Sequence, residues 1–409
     1  MYAELEKAFT ITSTEIGEIA ETFRITMING LAGKPTTLKM LPSFVAKPTG
    51  REQGLFVALD FGGTNVRAEL VELSAQGQWL VKNRSARPLK DPAGHYDYIS
   101  PHTQATELFD FIADQVANLV NRDAKHFLGY TFSFPCVQQG INQAVLLNWT
   151  KEIKTTGVEG QEVGKLLAEA LVRRGLVGIK PCAIINDTVG TLLAAAYADN
   201  ATDIGTICGT GHNTCYFEPT KKMIINLESG NFAELPVTEY DNKLDLASEK
   251  PGNQRLEKMV AGKYLGEIVR LIAADVLQLA IEPYSLTTED VTAIISGNFS
   301  ENPRFAELTD HNRNRLRQIA TLVVNRSARL VAATFVGVLA HIDAHLERVH
   351  TIAVDGSLYE KLPGYADYLS QALGDVLGDK ATMISVKLVK DGSGVGAAVA
   401  AALSPEFGK

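Results

Sequence analysis

Apolar residues recur at Ile16, Ile19, Phe23, Met27 and Leu31, with polar residues between them. That spacing predicts an amphipathic helix docked by one face on the rest of the molecule. Thr12 and Glu15 have the spacing of a capping box at its start. The period then changes. GLFVALDFGGTNVRAELVEL reads as two strands joined by a turn at Gly62-Gly63. Residues 103–121 form a helix, HFLGYTFSFP a buried strand ended by Pro135, and EVGKLLAEALVRRG a helix closed by Gly175. The strand PCAII follows, then the helix TVGTLLAAAYA. DIGTICGTGHNTCYFEP repeats the strand, glycine turn, strand pattern around Gly209, Thr210 and Gly211. Helices continue to residue 345, and LVAATFVGVLAHIDAHL reads as a buried one. HTIAVDGSLYEKLP and MISVKLVKDGSGVGAAVAAAL close the chain as strand–turn–helix units.

A chain of 409 residues exceeds what one hydrophobic core usually serves, so two domains are expected. No Pro/Ser-rich linker separates them, so short connections must join them. The net charge of −8 supplies no basic surplus for a nucleic acid. Cys136, Cys182, Cys208 and Cys215 lie in or beside apolar runs without zinc-ligand spacing, which fits a reducing, cytoplasmic setting. The first residues are acidic and lack the apolar core of a signal peptide. No apolar run has the roughly 20 residues needed to span a bilayer, so no membrane partner is expected.

Three glycine turns carry candidate chemistry: DFGGTN, CGTGHN and DGSGVGA. Glycine lets backbone N–H groups approach an anion, and neighbouring threonines add donors. Each alone is also an ordinary tight turn. Neither standard nucleotide motif is present. There is no G-x-x-x-x-G-K-[ST], and the chain ends too soon after GSGVGA for a dinucleotide fold. Asn186 and Asp187 interrupt an apolar run, where a helix cap and a functional carboxylate are both open readings. Glu228 and Glu257 break the patterning in the same way, and each has an alternative as a turn or surface-helix residue. With Asn186, Asn213, Gln254, Ser133, Thr150 and Lys151 they form the mixed donor and acceptor set that a polyol requires.

In this order, LDFGGTNVR, FSFP, LLNWTK, NDTVGTLLAAAY, GTGHNTCY, INLESGNF, PGNQRLEKMVAGKYLGE, VDGSLY and DGSGVGAA resemble the hexokinase family, in its eukaryotic hexokinase and glucokinase branch. The resemblance runs from Leu55 to the end of the chain. It implies an α/β, two-lobed actin-like ATPase (ribonuclease H-like) fold, with a cleft between a small and a large domain. Residues 1–52 and 188–392 are expected in the large domain, and 53–187 and 393–409 in the small one. The implied reaction moves the γ-phosphate of ATP to the 6-hydroxyl of glucose or another hexose, the first step of glycolysis, with Mg2+ on the ATP phosphates. By resemblance, Asp187 is the general base and Lys151 the cation near the reacting groups. Asn186, Asn213, Glu228, Gln254 and Glu257 would hold sugar hydroxyls, with Ser133, Phe134, Thr150 and Lys151 closing on them. Asp60 would orient the Mg2+ water shell. Gly62, Gly63, Thr64, Asn65, Arg67, Gly209, Thr210 and Gly211 would cradle phosphates, together with Gly392 and Ser393. Asp355, Gly356 and Ser357 would lie near the adenosine. For Arg67 a structural ion pair is the alternative.

Three positions depart from the family pattern. LESGNF lacks the tryptophan common after the acid, His212 stands where a smaller residue is usual, and Val395 where a basic one is frequent. His212 is expected to be a neutral, solvated loop residue. A sugar sensor without catalysis and an actin-like nucleotide module are the rival readings. The intact Asp187 and Lys151 weigh against the first, and the sugar-binding set against the second. A monomer and a homodimer are both open.

Overall fold

Thr12 accepts the N–H of Glu15, whose carboxylate takes the Thr12 N–H in return, and the helix Ser13–Leu31 begins there. Its face of Ile16, Ile19, Phe23 and Met27 is buried against the helix Asp310–Ile342. That 33-residue helix is the core of its surroundings. It is the one helix among the described residues long and apolar enough to cross a membrane, and 89% of its apolar window is buried within the protein. It stops at Ile342, so the segment from Asp343 onward leaves the helix the apolar run suggested. The computed structural model describes residues 2–299, 304–305 and 308–407.

The chain divides into two units. The first comprises Met1–Met40, Thr206–Thr214 and Leu227–Leu388, and the second Leu41–Gly205, Cys215–Asn226 and Val389–Lys409. These boundaries differ from those expected from the sequence. Residues 188–205 belong with the second unit, because the helix Asp187–Ala198 packs on the C-terminal helix Gly392–Ala402 and on that unit's sheet.

In the second unit a five-stranded sheet has the order Gln78–Pro88, Asn65–Ser74, Gly54–Phe61, His126–Phe132, Ile179–Ile185. The expected hairpin is present, with Phe61 opposite Val66 across the Gly62-Gly63 turn. The last three strands run parallel, pairing Phe61 with Phe132 and Thr131 with Ile185. Their carboxyl ends therefore sit side by side. That alignment brings Asp60, Ser133, Asn186 and Asp187 to one end of the sheet, where ligands of parallel sheets bind.

In the first unit His350–Asp355 and Ile384–Leu388 pair in parallel, so Asp355 also ends a strand. The strands Thr202–Cys208 and His212–Glu218 flank the second glycine turn.

Two helix starts meet in the second unit. A Cβ on Gly396 would overlap the backbone of Gly190, and one on Gly190 would lie 3.0 Å from Ser393 Cα. Nothing larger than glycine fits at Gly396, and Gly190 is tightly packed. Val395 faces inward, 2% exposed, in the apolar cluster that includes Leu192 and Val189. Gly396→Ala is expected to cost about 1–3 kcal/mol through overpacking at this crossing. Thermal and urea unfolding measure it, and unchanged stability would mean that the helices can separate freely.

Candidate active site

Asp187 and Asn186 share one task and are then free for another. Asn186 is the N-cap of the helix Asp187–Ala198, its Oδ1 2.9 Å from the Thr188 N–H. Asp187 Oδ1 accepts the same N–H at 2.7 Å and the Thr188 hydroxyl at 3.2 Å. The cap reading thus holds for both residues. One oxygen of Asp187 is anchored, while Oδ2 has no hydrogen bond among the described residues. The helix dipole places positive potential here, as it does at the adjoining start of the Gly392 helix.

Asp60 ends the strand Gly54–Phe61, and its Oδ2 accepts the Ser393 hydroxyl at 2.8 Å. Burial raises its pKa. The Ser393 bond, Arg67 and Lys151 oppose that shift, and Asp187 adds to it. A half-buried carboxylate with one committed oxygen fits a hydrated Mg2+, which needs few protein ligands.

Lys151 Nζ donates to the Gly62 carbonyl at 2.8 Å and lies 5.5 Å from the centre of the Phe134 ring. Gly63 has φ 119°, a conformation that favours glycine, and a Cβ there would stand 2.7 Å from Lys151 Cδ. Phe134 packs edge-on against Trp149 at 4.9 Å, which braces the segment carrying Thr150 and Lys151. Ser133 Oγ is buried and has no hydrogen-bond partner among the described residues. The N–H groups of Gly62, Gly63 and Thr64 carry no hydrogen bond among the described residues, which leaves them available to an anion. Asn65 Nδ2 donates to Thr64 Oγ1 at 3.2 Å.

Arg67 takes the alternative role. Its Nη1 pairs with Asp391 Oδ1 at 2.8 Å. Arg84, which the sequence reading did not single out, joins Asp391 at 3.2 Å and Glu69 at 2.7 Å. Glu69 is 1% exposed beneath Gly394. Alternation along the strand places Glu69 with Asn65 and Arg67 on the polar face, so nothing in the sequence marked either Glu69 or Arg84.

The first unit gathers the other carboxylates. Glu257 Oε2 accepts the His212 N–H at 3.0 Å. Asn213 Oδ1 takes the N–H groups of Thr214 at 2.7 Å and Ser229 at 3.2 Å. It thereby fixes the turn that carries Glu228, a residue at φ 51°. Gln254 is exposed, also at φ 51°, at the start of the helix Arg255–Val260. The carbonyls of Gly209 and Thr210 accept N–H groups of Gly262 and Lys263, at 2.8 and 3.1 Å. The Thr210 and Gly211 N–H groups carry no hydrogen bond among the described residues. Gly209 lies against Gly356 and Ser357, the turn after Asp355.

His212 differs from expectation. It is neutral but not solvated, being 4% exposed. Nδ1 lies 3.1 Å from the Ile207 carbonyl, and Nε2 has no hydrogen-bond partner among the described residues. Burial lowers its pKa from 6.5 to about 4, against the opposing effect of that hydrogen bond. Below pH 6.5 the unfolded chain binds a proton that the folded chain refuses. Stability attributable to this residue is therefore complete at neutral pH and falls as acid is added. The loss at pH 5 is on the order of 2 kcal/mol. His212→Thr should lose correspondingly less between pH 7 and pH 5 in thermal melts. Equal losses in the two proteins would show that His212 is not buried and neutral.

Comparison with known proteins agrees with this arrangement. Two family models, each described as hexokinase, match residues 1–197 and 203–403. The chain is 35% identical to Hexokinase-1 of Schizosaccharomyces pombe, over 98% of this chain and 90% of that one. A crystal structure of a hexokinase superposes with a TM-score of 0.88 at 33% identity, covering 98% of both chains. A Schistosoma mansoni hexokinase solved with glucose superposes with a TM-score of 0.82 at 32% identity, covering 98% of this chain and 97% of that one. The chain belongs to the hexokinase family, with the two-lobed, actin-like α/β fold of sugar kinases.

Proposed function

We propose that this hexokinase-family enzyme transfers the γ-phosphoryl group of ATP to the 6-hydroxyl of glucose, with mannose and fructose as further acceptors. The observation that carries the mechanism is the divided carboxylate of Asp187. Oδ1 is tied to the start of its helix and Oδ2 is left to a ligand. As the sugar oxygen attacks phosphorus, its proton passes to Oδ2, and the bond from phosphorus to the ADP oxygen breaks. The products are hexose 6-phosphate and ADP.

Positioning and charge neutralisation dominate such a barrier. The unpartnered Ser133 hydroxyl, Thr150, Asn186 Nδ2 and the carboxylates Glu228 and Glu257 supply hydrogen bonds to the sugar. Asn213 supports Glu228 through the Ser229 N–H. Lys151 carries the positive charge beside the transferring group. The free N–H groups at Gly62–Thr64 and Thr210–Gly211 receive phosphate oxygens, and Asp355–Ser357 the adenosine. Mg2+, when bound through water to Asp60, would offset charge on the ATP phosphates. The four free thiols support a reducing, cytoplasmic setting.

An ATP-dependent phosphorylation assay over glucose, mannose, fructose, galactose and glucosamine tests this reading. Glucose should turn over, and Asp187→Ala should lose about a hundredfold or more in kcat, as loss of a general base requires. Glucose binding without phosphorylation would leave a sugar sensor in its place.

A further inference from the structure

Glu257 and Gln254 stand on a short helix whose hold on the protein is elsewhere. The helix Arg255–Val260 has only 6 residues, too few to be stable alone. Residues three apart share a helical face, so Arg255 and Lys258 form one face, and Gln254 and Glu257 the adjacent one. The first face meets a single carboxylate. Asp245 Oδ1 is 2.6 Å from Lys258 Nζ, and Oδ2 is 2.8 Å from Arg255 Nη1. Both oxygens also accept the Gly252 N–H, at 3.1 and 2.9 Å.

Lys258 extends the tie by donating to the Lys250 carbonyl at 2.8 Å. Arg255 donates to Asn242 Oδ1 at 3.0 Å. The side chains of Asp245 and Lys258 are only 10% and 6% exposed. Asp245 lies in the last turn of the preceding helix, Glu239–Ala247, and its carbonyl accepts both the N–H and the hydroxyl of Ser248. Gln254 sits in the left-handed region, φ 51°, a conformation that persists only where surroundings over-determine it.

We propose that Asp245 is a positioning residue for sugar binding, acting through Lys258 and Arg255 to set the orientation of Gln254 and Glu257. One buried acid between two cations fixes the rotation of the short helix, because both of its salt bridges lie on one face. The opposite face of the constraint is the Glu257 Oε2 contact with the His212 N–H, which needs that rotation to form. Loss of the charge leaves Lys258 buried without its ionic partner and weakens the hold on the loop through Gly252. This inference rests on the sugar-phosphorylation reading.

The test is steady-state kinetics of the full chain, with glucose and Mg-ATP varied separately. Asp245→Asn preserves shape and removes the charge. Its KM for glucose should rise about tenfold or more, and its KM for Mg-ATP should stay within about twofold. Lys258→Arg should keep the glucose KM within about threefold of wild type, and Lys258→Met should not. A glucose KM unchanged in Asp245→Asn, or an equal rise in both KM values, overturns the proposal. If Asp245→Asn does not fold, Arg255→Met removes one donor of the three, and an unchanged glucose KM there overturns it as well. A wild type that phosphorylates no sugar defeats the kinase reading instead. The rise in melting temperature on adding glucose then decides Asp245 alone: a smaller rise in the variant supports its role, and an equal one overturns it.

Discussion

The close approach of Gly190 and Gly396 governs the second unit. Because neither residue has a side chain, two helices touch backbone to backbone in their first turns. The same contact sets Asp187 at one helix start and Ser393 at the other. Ser393 in turn holds Asp60, at the end of a neighbouring strand. A base candidate, a metal-orienting candidate and two positive helix ends thus share one scaffold. The alanine-rich helix Gly392–Ala402 is buried along nearly all its length, which small side chains alone permit.

The polar groups of the site follow a common pattern. Asp187 and Asp60 each commit one oxygen to the protein. The committed atom fixes direction, and what remains is presented with little left to reorganise. Electrostatic catalysis depends on that preorganisation. It has a cost in backbone geometry. Lys151, Glu228, Gln254 and Asp391 all have positive φ, between 51° and 57°. Such conformations cost about 1–3 kcal/mol each and survive only under tight constraint. The ties at Gly62, Ser229, Lys258 and Arg67 are those constraints.

Much of this was legible in the sequence. The capping box at Thr12, the hairpin at Gly62-Gly63, the strand–turn–helix units near the end and the special status of Asn186-Asp187 all follow from local spacing, because period and turn chemistry are local properties. The unit boundaries were less accessible. Residues 188–205 belong with the second unit because of a helix crossing formed with residues about 200 positions away, which spacing does not encode.

His212 shows the same division at one residue. Its place in a glycine turn was visible, but its burial and low proton affinity arise from what surrounds it. Arg84 and Asp245 carry no mark in the local pattern of the sequence. Their importance lies in partners that only the folded chain supplies: Glu69 and Asp391 for one, Lys258 and Arg255 for the other. The sequence by itself determined the elements, the turns and the inventory of reactive groups, since these depend on neighbours along the chain. The tertiary structure decided which oxygen of Asp187 is committed, which charges are paired and where the units divide, since burial and pairing depend on neighbours in space.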